Sequence, residues 1–171
     1  VNEHERVRRR VGELASAGLI DEEGLPEEAE VLDPIPVVDP AGGDRHSWFV
    51  PVARGERLAG FAQLLPDLQL MSYSTFPPGD EGSALPELAD WTDAATIRDR
   101  AERIAAPDET VGEPVLTFDR SASRLAWRVP ATDPSGASRA LFVVGDFAYP
   151  ERPEPEEPGF GGGLGGPPRG A

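Results

Sequence analysis

Acid–base chemistry near neutral pH falls first to histidine, and this chain has two, His4 and His46. His46 stands in Asp44-Arg45-His46-Ser47, which holds the residue types of a nucleophilic triad. A triad needs its members to converge in space, whereas adjacent residues of a strand send their side chains to opposite faces. The expectation is a turn leading into a strand. Two histidines so far apart, with no cysteine in the chain, leave no pattern for zinc and allow no disulfide. Asp21-Glu22-Glu23 and Glu27-Glu28-Glu30 crowd carboxylates together. A calcium loop alternates its ligands about a glycine, so a solvated acidic run is expected instead. Gly161-Gly162-Gly163-Leu164-Gly165-Gly166 has the spacing of a dinucleotide loop. That loop works only between a strand and the helix whose N-terminus holds the pyrophosphate, and here Pro167-Pro168 follows. No catalytic residue, cofactor or metal is assigned, and a non-enzymatic protein is expected.

Binding chemistry has more to work with. The net charge is −15, which sets the chain against nucleic acid and anionic lipid as general partners. All 16 basic residues are arginine, a bias that points to a GC-rich bacterial genome. Their one concentration is Arg6 with Arg8-Arg9-Arg10, on the expected solvated side of a helix. Arg8 and Arg9 are therefore candidate contacts for an acidic protein surface, since guanidinium groups pair well with carboxylates. Trp91 is a third candidate, just ahead of a second helix, and Phe160 and Leu164 are the large apolar residues after Tyr149. No run approaches the roughly 18 apolar residues of a membrane span, so no membrane insertion is expected. The chain opens Val1-Asn2-Glu3-His4 without a basic-then-apolar leader, which makes the cytoplasm the expected location.

Two similar sets of elements carry these residues. Asn2, with Glu5 three positions on, predicts a capped helix whose Val7, Val11 and Leu14 share a face and whose stop is Gly18. Ile97, Ala101 and Ile104 repeat that spacing 90 positions later, in a helix opening at Thr92 or Asp93 and ending at Pro107. Strands follow each. Pro36-Val37-Val38 and then His46 to Ala53 come after the first helix; Pro114-Val115-Leu116 and then Arg124 to Ala131 come after the second. Trp48-Phe49-Val50-Pro51 and Trp127-Arg128-Val129-Pro130 stand 79 positions apart, and both tryptophans are expected in a core beneath their helix. Turns at Arg54-Gly55-Glu56 and Asp133-Pro134-Ser135-Gly136 lead into Leu58 to Leu65 and Ala140 to Phe147. Leu68 to Phe76 reads as an extra strand of the first set, with Leu68 and Leu70 alternating against Gln69, Met71 and Tyr73.

The expected architecture is α+β, two tandem helix-plus-antiparallel-meander modules produced by duplication. The first module spans 1–76, a linker 77–91 and the second module 92–149. A Pro/Gly-rich tail over 150–171 lacks the apolar area to order itself.

The second set is an Ala-rich helix (Ala94, Ala95, Ala101, Ala105) followed by Arg124 to Val129, an Asp133–Gly136 turn and Leu141 to Asp146. It resembles the PepSY-like group of small α+β modules over about 55 residues, from Thr92 to Phe147. Asn2 to Leu65 is similar more faintly. The resemblance implies a helix on a three-stranded meander and supplies no catalytic residue. The expected function is binding another protein, as an accessory subunit or as an oligomer with a second copy. The alternative is a small-ligand or peptide binder with a cavity between helix and sheet, lined by Trp48 or Trp127.

Overall fold

The computed structural model of the chain describes residues 1–18, 28–76 and 85–152. The first helix, α1, runs Glu3–Ser16, and sequence-local bonds set both ends. Asn2 Oδ1 accepts from the Glu5 amide at 2.8 Å, and the Glu5 carboxylate accepts from the Asn2 amide at 3.3 Å. Beyond the helix Gly18 takes φ +70, and its amide donates to the Ala15 carbonyl at 3.1 Å. Val7, Val11 and Leu14 are buried along one face, as their spacing predicts.

That face covers the first sheet, made of β1 (Glu30–Val31), β2 (Ile35–Val38), β3 (Arg45–Arg54), β4 (Arg57–Leu64) and β5 (Leu70–Thr75). β3, β4 and β5 form an antiparallel meander, while β1 and β2 are two pieces of one edge on β3. Trp48, Val50, Ala62 and Leu64 pack with the apolar face of α1 in one buried cluster.

The second set comprises α2 (Ala89–Thr92), α3 (Ala94–Glu102), β6 (Thr110–Val111), β7 (Val115–Phe118), β8 (Leu125–Thr132), β9 (Ser138–Val144) and β10 (Phe147–Pro150). Asp93 caps α3, accepting from the Thr96 amide at 3.1 Å. β8, β9 and β10 form a second meander, edged on β8 by β6 and β7. The chain is thus α+β with two antiparallel sheets. Trp48 and Trp127 are 1% and 8% exposed, each in the cluster that its helix covers.

Three local expectations fail for identifiable reasons. The span Ala140 to Phe147 is not one strand: Gly145 takes φ +60 in a two-residue turn, and Val144 pairs with Phe147 across it. The second sheet therefore has a last strand too, so β5 is no extra feature of the first. Nor does β5 alternate cleanly. Leu64 faces Leu70 but Gln63 faces Ser72, which leaves Met71 as the additional residue of a bulge and brings Leu70 and Tyr73 onto the α1 side. Finally, α3 stops at Glu102, before Pro107, because the Ala101 carbonyl accepts from both Ile104 and Ala105 and tightens the last turn.

The two sheets do not bury themselves separately. Val37 and Phe49, on the face of the first sheet turned away from α1, belong to the same buried cluster as Ile97, Ala101, Trp127 and Leu141. Thr117 of β7 donates its hydroxyl to the Val38 carbonyl of β2 at 2.6 Å, tying the two edges together. Of the expected linker 77–91, residues 85–91 are described, and they are bonded to the first sheet. Leu58 donates its amide to Pro86 O at 2.8 Å, Leu88 donates to Glu56 O at 3.0 Å, and Arg57 pairs with Glu87 at 3.1 Å. At the other end, Pro150 pairs with Leu141, so the sheet takes in the first residue of the expected tail. Phe160, Leu164, the glycine run and Asp21-Glu22-Glu23 lie outside the described residues.

Candidate binding cleft

The shared core leaves one side open. A cleft of about 650 Å³ lies between the outer face of the first sheet and the β9–β10 hairpin of the second. Its first wall follows from strand alternation: Phe61 and Gln63 on β4 stand opposite Ser74 and Ser72 on β5, so all four share the face turned from α1. The opposite wall is Val144, Phe147 and Tyr149, and Trp91 of α2 closes one side. Trp91 stacks on Phe49 at 6.0 Å between ring centroids, and Phe49 meets Phe61 at 5.0 Å, so a fully buried ring supports two rings of the lining. Phe147 is 63% exposed, an unusual position for a phenyl ring on a strand.

The rim is built by the β7–β8 loop. Asp119 donates its amide to Arg124 O at 2.9 Å and Arg124 donates to Ser121 O at 2.8 Å, closing a tight turn with Arg120 at φ +66. The Tyr149 hydroxyl donates to Asp119 Oδ2 at 2.8 Å and anchors that turn to β10. Among the described residues Arg120, Arg124 and Arg152 line this end with Asp119, in a chain of charge −15. Burial, followed by the hydrogen bond and charge of Asp119, pushes the Tyr149 hydroxyl up to about 12, while Arg124 and Arg152 pull the other way.

A titration follows from this arrangement. The folded value lies above the ordinary 10, so whatever stability the neutral phenol adds is complete below about pH 10. It is lost as the pH rises from there through about 12. In an ultraviolet titration Tyr149 should ionise near 12, and Asp119→Asn should bring it down. A Tyr149 step at the ordinary value in the unmodified chain would contradict the part-buried bond to Asp119.

The candidates named from sequence fare unequally. Arg8 is half-buried and its Nε lies 3.4 Å from Asp33 Oδ1, so its charge is engaged within the chain. Arg10 donates to Leu68 O at 3.3 Å. Arg9 is exposed on α1, away from the cleft. Trp91 is half-buried and does line the cleft, and among the described residues it is the one sequence candidate found there. The cleft lies between the sheets, and neither Trp48 nor Trp127 lines it. Sequence reasoning missed Phe147, Tyr149 and the three arginines. The available signal was Gly145-Asp146, a hairpin dipeptide that puts Phe147 and Tyr149 on one face of a new strand.

His46 and Ser47 also depart from expectation. Val37 pairs with Ser47 and Val38 with Arg45, so His46 is the extra residue of a bulge, and the neighbours do not point to opposite faces. His46 Nδ1 lies 3.1 Å from Ser47 Oγ, and Gln63 Nε2 donates to the same oxygen at 3.0 Å. Ser47 has no exposed surface and the His46 ring meets the edge of Phe118 at 4.9 Å, so the pair is an internal polar bracket. Among the described residues no group of three His, Cys, Asp or Glu side chains has metal-holding geometry. No helix among them is long and apolar enough to cross a membrane.

No family model matches the chain, and neither a curated protein nor a solved structure does.

Proposed function

We propose that this protein is a non-enzymatic binding protein and that its site is the inter-sheet cleft. The observation that carries this reading is the lining: aromatic rings on both walls, hydroxyl groups of Ser72 and Ser74 among them, and a volume of about 650 Å³. Ligand sites typically occupy about 300–1,000 Å³ and combine apolar walls with a few polar groups. The scaffold is read as a duplicated PepSY-like module. Supporting that are the matched strand orders, the edge strand in two pieces in each sheet, and Trp48 opposite Leu64 where Trp127 is opposite Val143. A backbone superposition that put the two tryptophans on non-equivalent strands would remove the duplication.

The test is a thermal-shift screen of small soluble compounds. A ligand at about 100 times its Kd adds roughly 2.7 kcal/mol, which raises the midpoint of a domain this size by about 5–10 °C. Ser74→Trp, which fills the cleft from an exposed edge strand, should abolish every such shift. Shifts that persist in Ser74→Trp would place binding elsewhere. A second reading, contact with another protein or a second copy, is favoured by Phe147 and Val115, large apolar side chains 63% and 44% exposed. Light scattering that gives a monomer at all working concentrations would remove the second copy.

A further inference from the structure

We propose that the cleft takes a small organic anion with a flat apolar body, the body between Trp91 and Phe147 and the charge beside Arg124 and Arg152. This assignment rests on the reading of the cleft as a ligand site.

Charge is the first argument. Among its described residues the rim holds Arg120, Arg124 and Arg152 beside one carboxylate, in a chain of net charge −15. The carboxylate is Asp119, whose Oδ2 already accepts from the Tyr149 hydroxyl at 2.8 Å, so that oxygen is held towards β10. Arg120 is the second. It sits at φ +66, a backbone conformation that residues with side chains avoid and that glycine or asparagine would take more easily. The same turn carries Arg124, whose amide donates to Ser121 O at 2.8 Å, so backbone bonds hold the rim in shape. Planar guanidinium groups bind carboxylates and sulfonates through paired N–H donors and tolerate neighbouring aromatic faces.

The apolar wall sets the rest of the ligand. Trp91 is held by its stack on the fully buried Phe49, so it offers a ring with little left to order on binding. Phe147 is exposed on the other wall and gains most from being covered. Rings on both sides favour a flat body over a compact polar one. Arg124 and Arg152 disfavour a cationic ligand at that end.

The experiment compares two dyes of one shape on the full chain at low ionic strength: 1-anilinonaphthalene-8-sulfonate and the uncharged N-phenyl-1-naphthylamine. Near-UV circular dichroism confirms that each variant stays folded, and all three substituted side chains are at or near the surface. The expected result is saturable binding of the sulfonate at one site, with the neutral dye weaker. Arg124→Gln combined with Arg152→Gln should weaken the sulfonate about tenfold, an effect that added salt reproduces, and leave the neutral dye unchanged. Phe147→Ala should weaken both. Equal affinity for the two dyes, lowered by Phe147→Ala but indifferent to the arginine variant, overturns the anion assignment while keeping the cleft as a site. Binding indifferent to Phe147→Ala overturns both. Dye binding that falls as protein concentration rises overturns the assignment in favour of a second copy covering the cleft.

Discussion

Phe49→Ala should lower the unfolding free energy by about 3–5 kcal/mol and the thermal midpoint by about 6–20 °C. Phe49 has no exposed surface, and it joins two parts of the molecule that are distant in sequence. Its ring meets Phe61 on the first sheet at 5.0 Å and Trp91 on α2 at 6.0 Å, within the cluster that includes Ile97 and Leu141. Removing it leaves a cavity in that shared cluster, and the cleft loses the support beneath two of its rings. The shared core also predicts that the unmodified protein unfolds in one step. Calorimetric and van't Hoff enthalpies should agree, and separate transitions for the two sheets would contradict the packing.

The Asp90–Arg100 pair carries the second large effect. Asp90 is 6% exposed, and Arg100 Nη2 lies 3.0 Å from its Oδ1, tying α2 to α3. Breaking a buried pair from one side costs about 3–5 kcal/mol, because the charge that remains has lost its counterion. The two sides are unequal here. Arg100 keeps some contact with solvent, so Asp90→Ala should cost less, about 2 kcal/mol, than Arg100→Ala, which strands the buried carboxylate. The double variant should recover part of that loss, giving a coupling of about 1–3 kcal/mol in denaturant titrations. Additive losses would show the pair to be incidental. Since α2 carries Trp91, either single change should also alter the near-UV signal of the cleft.

Much of the local structure is legible in the chain itself. Asn2 with Glu5 places the start of α1, and the spacing of Val7, Val11 and Leu14 selects its buried face. These signals work because capping and helical periodicity act within a turn or two of the chain. The Trp127 strand reads correctly for a similar reason: a period of two reports burial without reference to any partner. The paucity of histidine and the absence of cysteine remove several chemistries before any fold is known. Bulges escape this kind of reading. Met71 and His46 each add one residue to a strand, and the register beyond it changes face.

The cleft was decided by tertiary structure alone. Phe61, Trp91, Arg124 and Phe147 are far apart in sequence, and each has a bland local reading as a strand, helix or loop residue. They meet because the face of the first sheet turned from α1 packs Val37 and Phe49 into the core beneath α3. Periodicity tells which side of a strand is buried, but not which distant element buries it. Where both sides of β3 are buried, one beneath α1 and the other against the second set, alternation loses even that information, since all its positions from Ser47 to Ala53 read as interior. The candidate arginines divide by the same logic: Arg8 meets Asp33 across the fold, whereas Arg120 and Arg124 meet Tyr149 and Arg152 only once the β9–β10 hairpin has closed.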